Sequence, residues 1–182
     1  IKILPNSTVH RPPLMTAVFF ALLGIARGAA GANATLAWSK APLSPLPWSA
    51  RNYHAAVILQ DAAVVSLGGT AQGGGTSSKS VFAIAPGTTT LVEVTADAGV
   101  GLLSSPCAVR LPTTDVIVLI TTLNAAWRST DKGATFTKIS SAVFPQARQY
   151  FGCIAISATE IYAFGGRSNL QNYEAHNDIR VS

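Results

Sequence analysis

Ala50-Arg51-Asn52-Tyr53-His54-Ala55-Ala56-Val57-Ile58-Leu59, followed by Ala62-Ala63-Val64-Val65-Ser66-Leu67-Gly68-Gly69, is the stretch that decides the fold. It returns 97 residues later as Ala147-Arg148-Gln149-Tyr150-Phe151-Gly152-Cys153-Ile154-Ala155-Ile156 and Thr159-Glu160-Ile161-Tyr162-Ala163-Phe164-Gly165-Gly166, without a gap. The first alanine, the arginine, the tyrosine and both glycines are identical, and most other positions set apolar against apolar. Self-similarity at a fixed spacing marks a repeat architecture, in which one supersecondary unit buries its faces only against its neighbours.

A third copy lies between them. Cys107-Ala108-Val109-Arg110-Leu111 and Asp115-Val116-Ile117-Val118-Leu119-Ile120 share the two-strand profile, 52 residues after the first copy and 45 before the last, with Thr121-Thr122 in place of the glycines. Short apolar, β-branched runs separated by Gly, Pro, Thr and Ser read as strands. The first unit, 50–95, is expected to have strands at 54–59, 63–67, 80–85 and 90–95. The second, 105–140, has them at 107–111, 115–120, 125–129 and 135–139. The third, 148–182, has them at 152–157, 160–164 and 177–181. Trp38-Ser39-Lys40 matches Phe136-Thr137-Lys138 at an offset of 98, which predicts a further outer strand at 35–40.

Composition excludes several classes. With 48% hydrophobic and 12% charged residues the chain is not a disordered one. The net charge of +5 and isoelectric point near 9.6 owe much to Lys2, Arg11 and Arg27. From Thr35 onward, ten Lys/Arg face eight Asp/Glu, scattered singly. A surface that tracks phosphates needs clustered cations, so nucleic acid is not an expected partner.

Residues 16–26 form an apolar run of signal-peptide length, too short for a membrane-spanning helix. Small residues follow at 28–34, where Ala30-Gly31-Ala32 and Ala32-Asn33-Ala34 fit a cleavage site. Met15, the only methionine, reads as the initiator, with residues 1–14 a non-native upstream extension. Residues 15–34 are thus expected to be a helical leader that is removed, leaving a secreted domain from 35 to 182 with no stable membrane span. The alternative is an intracellular protein that keeps 16–34. Cys107 and Cys153 allow a bridge in an oxidising compartment. The preferred reading is two buried free thiols acting as small hydrophobes.

The runs ending in Gly68-Gly69 and Gly165-Gly166 resemble the kelch signature, an apolar strand closed by a glycine pair, and the Arg-x-Tyr that opens each unit is similar to kelch repeats as well. The spacing of 97 is about twice a kelch period near 50. Ser129-Thr130-Asp131-Lys132-Gly133-Ala134-Thr135-Phe136 resembles the Asp-box hairpin of sialidases and other propellers, with Ser129, Asp131, Gly133, Thr135 and Phe136 filling its defining positions. These resemblances imply an all-β chain of β-propeller blades, each a four-stranded antiparallel sheet. About three blades make an incomplete ring, so the chain is expected to be a fragment of a longer protein; the rival is an open array that pairs with another copy.

The resemblance also implies where a ligand would sit. One face collects Arg51, Tyr53, His54, Arg148, Tyr150 and Arg167 with the loops 70–79 and 167–176. Loops on a rigid scaffold commonly carry binding, and arginine with tyrosine suits a protein hot spot or an anionic glycan. Arg51 and Arg148 have a competing structural reading, hydrogen bonds to carbonyls of the neighbouring blade. No catalytic set, cofactor site or metal site is assigned. His54 and His176 lack ligand spacing, His10 lies in the leader, and Gly73-Gly74-Gly75 is not followed by Lys-Ser/Thr. The expectation is a secreted protein- or glycan-binding module; the alternative is the N-terminal part of a sialidase-like or galactose-oxidase-like secreted enzyme.

Overall fold

A computed structural model describes residues 48–71, 77–101, 103–168 and 174–182. The leader, the upstream extension and the strand expected at 35–40 lie outside the described residues, as do parts of both loops. The described residues are all-β, without a helix. They lie in one compact unit, Ser39–Ser182.

The first sheet has β1 (Arg51–Ile58), β2 (Val64–Ala71), β3 (Val81–Ile84) and β4 (Leu91–Thr95), antiparallel and in chain order. The second repeats the pattern with β5 (Cys107–Arg110), β6 (Ile117–Ile120), β7 (Ala126–Ser129) and β8 (Thr137–Ser140). Two short strands, β9 (Arg148–Gln149) and β12 (Arg167–Ser168), pair with each other. They flank a third sheet of β10 (Gly152–Ala155), β11 (Ile161–Phe164) and β13 (Ile179–Val181). Each expected strand from 54 to 181 has its counterpart, with ends displaced by a few residues.

Side-chain alternation explains how the sheets pack. Ile117-Val118-Leu119-Ile120 of β6 is buried on both sides. Ile117 and Leu119 join Val57, Leu59, Val65, Leu67 and Val81 of the first sheet in one core cluster. Val118 packs with Cys153, Ala155 and Ile161 of the third sheet, and Ile120 packs with Ala163. A strand covered on both faces needs a continuous apolar run, and Ile117–Ile120 supplies it. A cleft of about 300 Å³ is bordered by Val118, Ile120, Val143, Ala163 and Val181 of the second and third units.

Two features depart from expectation. The glycine pair does not end its strand. β1 and β2 stay in register on both sides of a kink, with His54 opposite Gly68 and Asn52 opposite Thr70, and pairing runs on to Arg51 and Ala71. At the kink Tyr53 (φ 56°), Gly68 (φ 68°) and Gly69 (φ 97°) are left-handed. Tyr150 (φ 58°), Gly165 (φ 67°) and Gly166 (φ 88°) reproduce it in the last repeat, and β9–β12 continues the β10–β11 ladder beyond it. The kink therefore recurs with matched dihedrals in the first and last repeats, whereas the turns that join the two strands differ, Ala62 (φ 66°) being left-handed without a counterpart at Thr159.

The second departure corrects the free-thiol reading. Cys107 and Cys153 form a disulfide, with Cα atoms 6.0 Å apart. Cys107 opens β5 and Cys153 is the second residue of β10, and these first strands of their sheets lie side by side. Apolar flanks suited both readings in the sequence; only the packing of the two sheets brings the thiols together. For a separation of 46 residues, loop closure in the unfolded chain makes the bridge worth about 4 kcal/mol.

The two glycine kinks differ in what touches them. A Cβ on Gly68 would fall 2.5 Å from the Leu103 carbonyl oxygen, in the segment leading to the second sheet, whereas one on Gly165 would meet only the His176 carbonyl oxygen at 3.7 Å. Gly165→Ala is expected to cost about 1–2 kcal/mol from the left-handed backbone alone. Gly68→Ala adds a clash with backbone and should cost clearly more, measured by urea unfolding of both variants. Equal costs would contradict the packing described.

Candidate functional site

Repetition places the same residues at the same end of the first and third sheets, but they do not all serve the same purpose. Arg51 donates from Nη1 to the Gly68 carbonyl at 2.9 Å, and Arg148 donates from Nη1 to the Gly165 carbonyl at 3.2 Å. Each guanidinium spans its own kink from β-strand to glycine carbonyl. Each also lies over an aromatic ring: Arg51 is 4.9 Å from the Trp48 centroid and Arg148 is 4.5 Å from that of Phe144. Arg148 is only 3% exposed. Both arginines are built into the fold, but the carbonyls they bond belong to their own repeat and not to the neighbouring blade that the structural reading expected.

Arg148 has a further partner that sequence reasoning missed. Its two terminal nitrogens grip both oxygens of Asp178, with Nη2 at 2.9 Å from Oδ2, and Arg180 Nε donates to the same Oδ2 at 2.9 Å. In the first repeat the matching position is Ser80: the Ser80 carbonyl accepts from Gly68 N–H at 3.0 Å, as that of Asp178 does from Gly165 N–H at 3.2 Å. A carboxylate immediately before the last strand was the available signal, but its meaning depended on knowing which carbonyl faced the glycine.

The tyrosines behave differently. Tyr53 and Tyr150 are 46% and 45% exposed, and their rings meet at 5.3 Å between centroids with a 58° tilt. Residues 97 apart in sequence thus touch, because β1 and β10 both pack beside β5. The Arg167 guanidinium covers the Tyr150 ring at 4.7 Å. Tyr53, hydrogen-bonded to Tyr150 and repelled by its phenolate charge, has its hydroxyl held above the usual phenol value, with Arg167 acting in the opposite direction. His54 is half-buried behind the kink; burial and, after it, the Arg51 charge push its pKa below the ordinary imidazole value. At neutral pH it is an uncharged ring.

Of the six residues expected on a ligand face, Tyr53 and Tyr150 form an exposed pair with the half-buried Arg167 against Tyr150, while Arg51 and His54 are half-buried and Arg148 is buried. Two aromatic surfaces beside a cation can cover an apolar face of a ligand and pair with an acidic group on it. The left-handed conformation at both tyrosines is costly for an aromatic residue, and backbone held in this way concentrates at functional sites. Among the described residues there is no group of three or more metal-ligating side chains.

The turn 129–136 lies elsewhere, between β7 and β8. Ser129 Oγ donates to Asp131 Oδ1 at 2.7 Å and accepts from Gly133 N–H at 2.9 Å, and Thr135 N–H reaches Asp131 Oδ1 at 2.9 Å. Gly133 (φ 94°) presses between sheets: a Cβ there would stand 3.1 Å from Val81 Cγ1. Phe136 packs onto the core shared by the first two sheets. Lys132 reaches Asp61 at 2.8 Å, tying this turn to the first sheet. The internally satisfied Ser, Asp and Thr leave this turn structural. No family model matches the chain, and no curated protein matches its sequence.

Asp178 gives the site a pH signature. The hydrogen bonds from Arg148, outweighing the partial burial that opposes them, and those from Arg180 hold its carboxyl well below the ordinary 3.8. A depressed carboxylate stabilises the fold fully above its unfolded pKa, and the gain is lost as the pH falls below that value. Asp178→Asn is therefore expected to melt several degrees below wild type near pH 7, with the gap closing progressively below pH 3.8. Melting curves across the acid range check this; an undiminished gap in acid contradicts it.

Proposed function

We propose that the chain forms part of a secreted kelch-like β-propeller acting as a binding module, with Tyr53, Tyr150 and Arg167 as the centre of its ligand face. The observation that carries this reading is the exposed contact of two repeat-equivalent tyrosines beneath one arginine. The ligand class that suits it is a glycan or protein segment offering an apolar face next to a carboxylate, sulfate or similar acidic group. Tyrosine and arginine are the residue types most often found at the energetic centres of binding surfaces.

Three further observations support the fold assignment. The glycine-pair kinks recur with matched dihedrals. Consecutive antiparallel sheets pack face to face with their first strands side by side, the relation that blades have around an axis. The 129–136 turn has the hydrogen bonding that suits an Asp-box. Secretion fits the Cys107–Cys153 bridge, since disulfides persist in oxidising compartments.

Arg51, His54 and Arg148 act in this reading as positioning groups: they set the kinks that turn the tyrosines outward. The test is a panel of sialylated, sulfated, uronate-containing and neutral glycans, together with a secreted-protein panel, probed with wild type, Tyr150→Ala and Arg167→Ala. Binding to acidic ligands is expected to weaken roughly tenfold or more in each variant, a loss of about 1.4 kcal/mol. Ligands bound equally by all three proteins would refute this face as the site.

A further inference from the structure

Tyr53 and Tyr150 are held together more firmly than a shared surface alone requires. Their ring centroids are 5.3 Å apart with the planes tilted by 58°, and their hydroxyls hydrogen-bond to each other. Both backbones are tied to the same strand pair. The Tyr53 carbonyl accepts from Ser105 N–H at 2.9 Å, and Cys107, two residues beyond Ser105, opens β5. The disulfide partner of Cys107 is Cys153, three residues after Tyr150. One hydrogen bond and one covalent bridge thus connect the segments that carry the two rings. Each tyrosine is fixed in the left-handed region by its kink, and the Arg167 guanidinium lies over the Tyr150 ring at 4.7 Å. Both rings are exposed, so an oxidant reaches them.

We propose that Tyr53 and Tyr150 are a site of oxidative crosslinking, at which they become a dityrosine joined through ring carbons ortho to their hydroxyls. The co-reactant is hydrogen peroxide acting through a haem peroxidase. Each phenol gives up one electron and one proton to become a phenoxyl radical, and the peroxide, taking both pairs, leaves as two waters. The radicals couple at one ortho carbon of each ring. The hydrogens on those carbons then move to the phenoxyl oxygens, which restores both phenols. In the product the hydroxyls flank the new bond. A pair already joined through its hydroxyls therefore presents the correct carbons to each other. The product is twisted about that bond, which suits rings that meet at a tilt. Pre-positioning replaces a chance encounter of two radicals by a step within one molecule. The chain's two cysteines are bonded to each other, so no thiol consumes the oxidant. The new bond closes a loop between the first and third sheets and restricts the unfolded chain as a disulfide does. This inference does not depend on ligand binding.

The experiment treats the full, disulfide-bonded chain at low concentration with a haem peroxidase and hydrogen peroxide. Dityrosine fluorescence is expected on the monomer, with a mass lower by two hydrogens. After reduction and trypsin, the peptide 52–79 should be found joined to 149–167, with tandem mass spectra placing the link at Tyr53 and Tyr150. Tyr53→Phe and Tyr150→Phe should each abolish the link and leave the circular dichroism spectrum unchanged, because only an exposed hydroxyl is removed. Tyr162→Phe, whose hydroxyl is donated to Glu160, should leave the link as in wild type. A monomer that gains no dityrosine overturns the proposal. So does oxidation that joins only separate molecules, or a link that survives Tyr53→Phe or runs through Tyr162 or Tyr173.

Discussion

Everything in this protein depends on a β-sheet having two faces and no means of covering both by itself. Ile117 to Ile120 answers that constraint directly, with alternate side chains entering the core on one side and the next sheet on the other. The three sheets are consequently a stack in which the middle one supplies apolar surface twice. Exposed ion pairs such as Lys79–Asp97 lie at the margins, where solvent screening leaves them little weight. The Cys107–Cys153 bond reinforces the second interface at the strands nearest each other.

On this scaffold the repeat separates structure from recognition within a few residues. The arginine of each Arg-x-Tyr crosses its kink and is consumed there by a glycine carbonyl. The tyrosine two residues later is driven outward by the left-handed backbone. In the last repeat the arginine is held more firmly, because Asp178 stands where the first repeat has Ser80. The rigid end is the one at which Arg167 caps Tyr150. A fixed aromatic pair with an adjoining cation costs little entropy to present to a ligand.

Much of the fold was legible in the sequence, for a definite physical reason. Strand positions follow from short apolar, β-branched runs and their punctuation, so residues such as Val64–Leu67 and Ile117–Ile120 announced themselves without any tertiary knowledge. Repetition supplied the pairing order, since each copy of the unit fixes the frame of the others. The glycine kink was only half legible: two glycines signalled unusual dihedrals, but continuation of β2 to Ala71 depends on Arg51 and Asn52 lying opposite. Contacts between units were not legible at all. The disulfide, the Arg148–Asp178 pair and the Tyr53–Tyr150 contact each join residues whose proximity arises from sheet stacking, which leaves no trace in either local segment. The expected ligand face mixed supporting and exposed residues for the same reason, as exposure is a property of the packed stack.

The most direct test of the account is site-resolved amide hydrogen exchange on the oxidised protein at low concentration. If burial on both faces organises the fold, the amides of Ile117–Ile120 exchange slowest, through global unfolding, and those of Ile179–Val181 exchange fastest among the strands. Exchange in β6 as rapid as in β13 would contradict it, for the central sheet would then have no special part in holding the others.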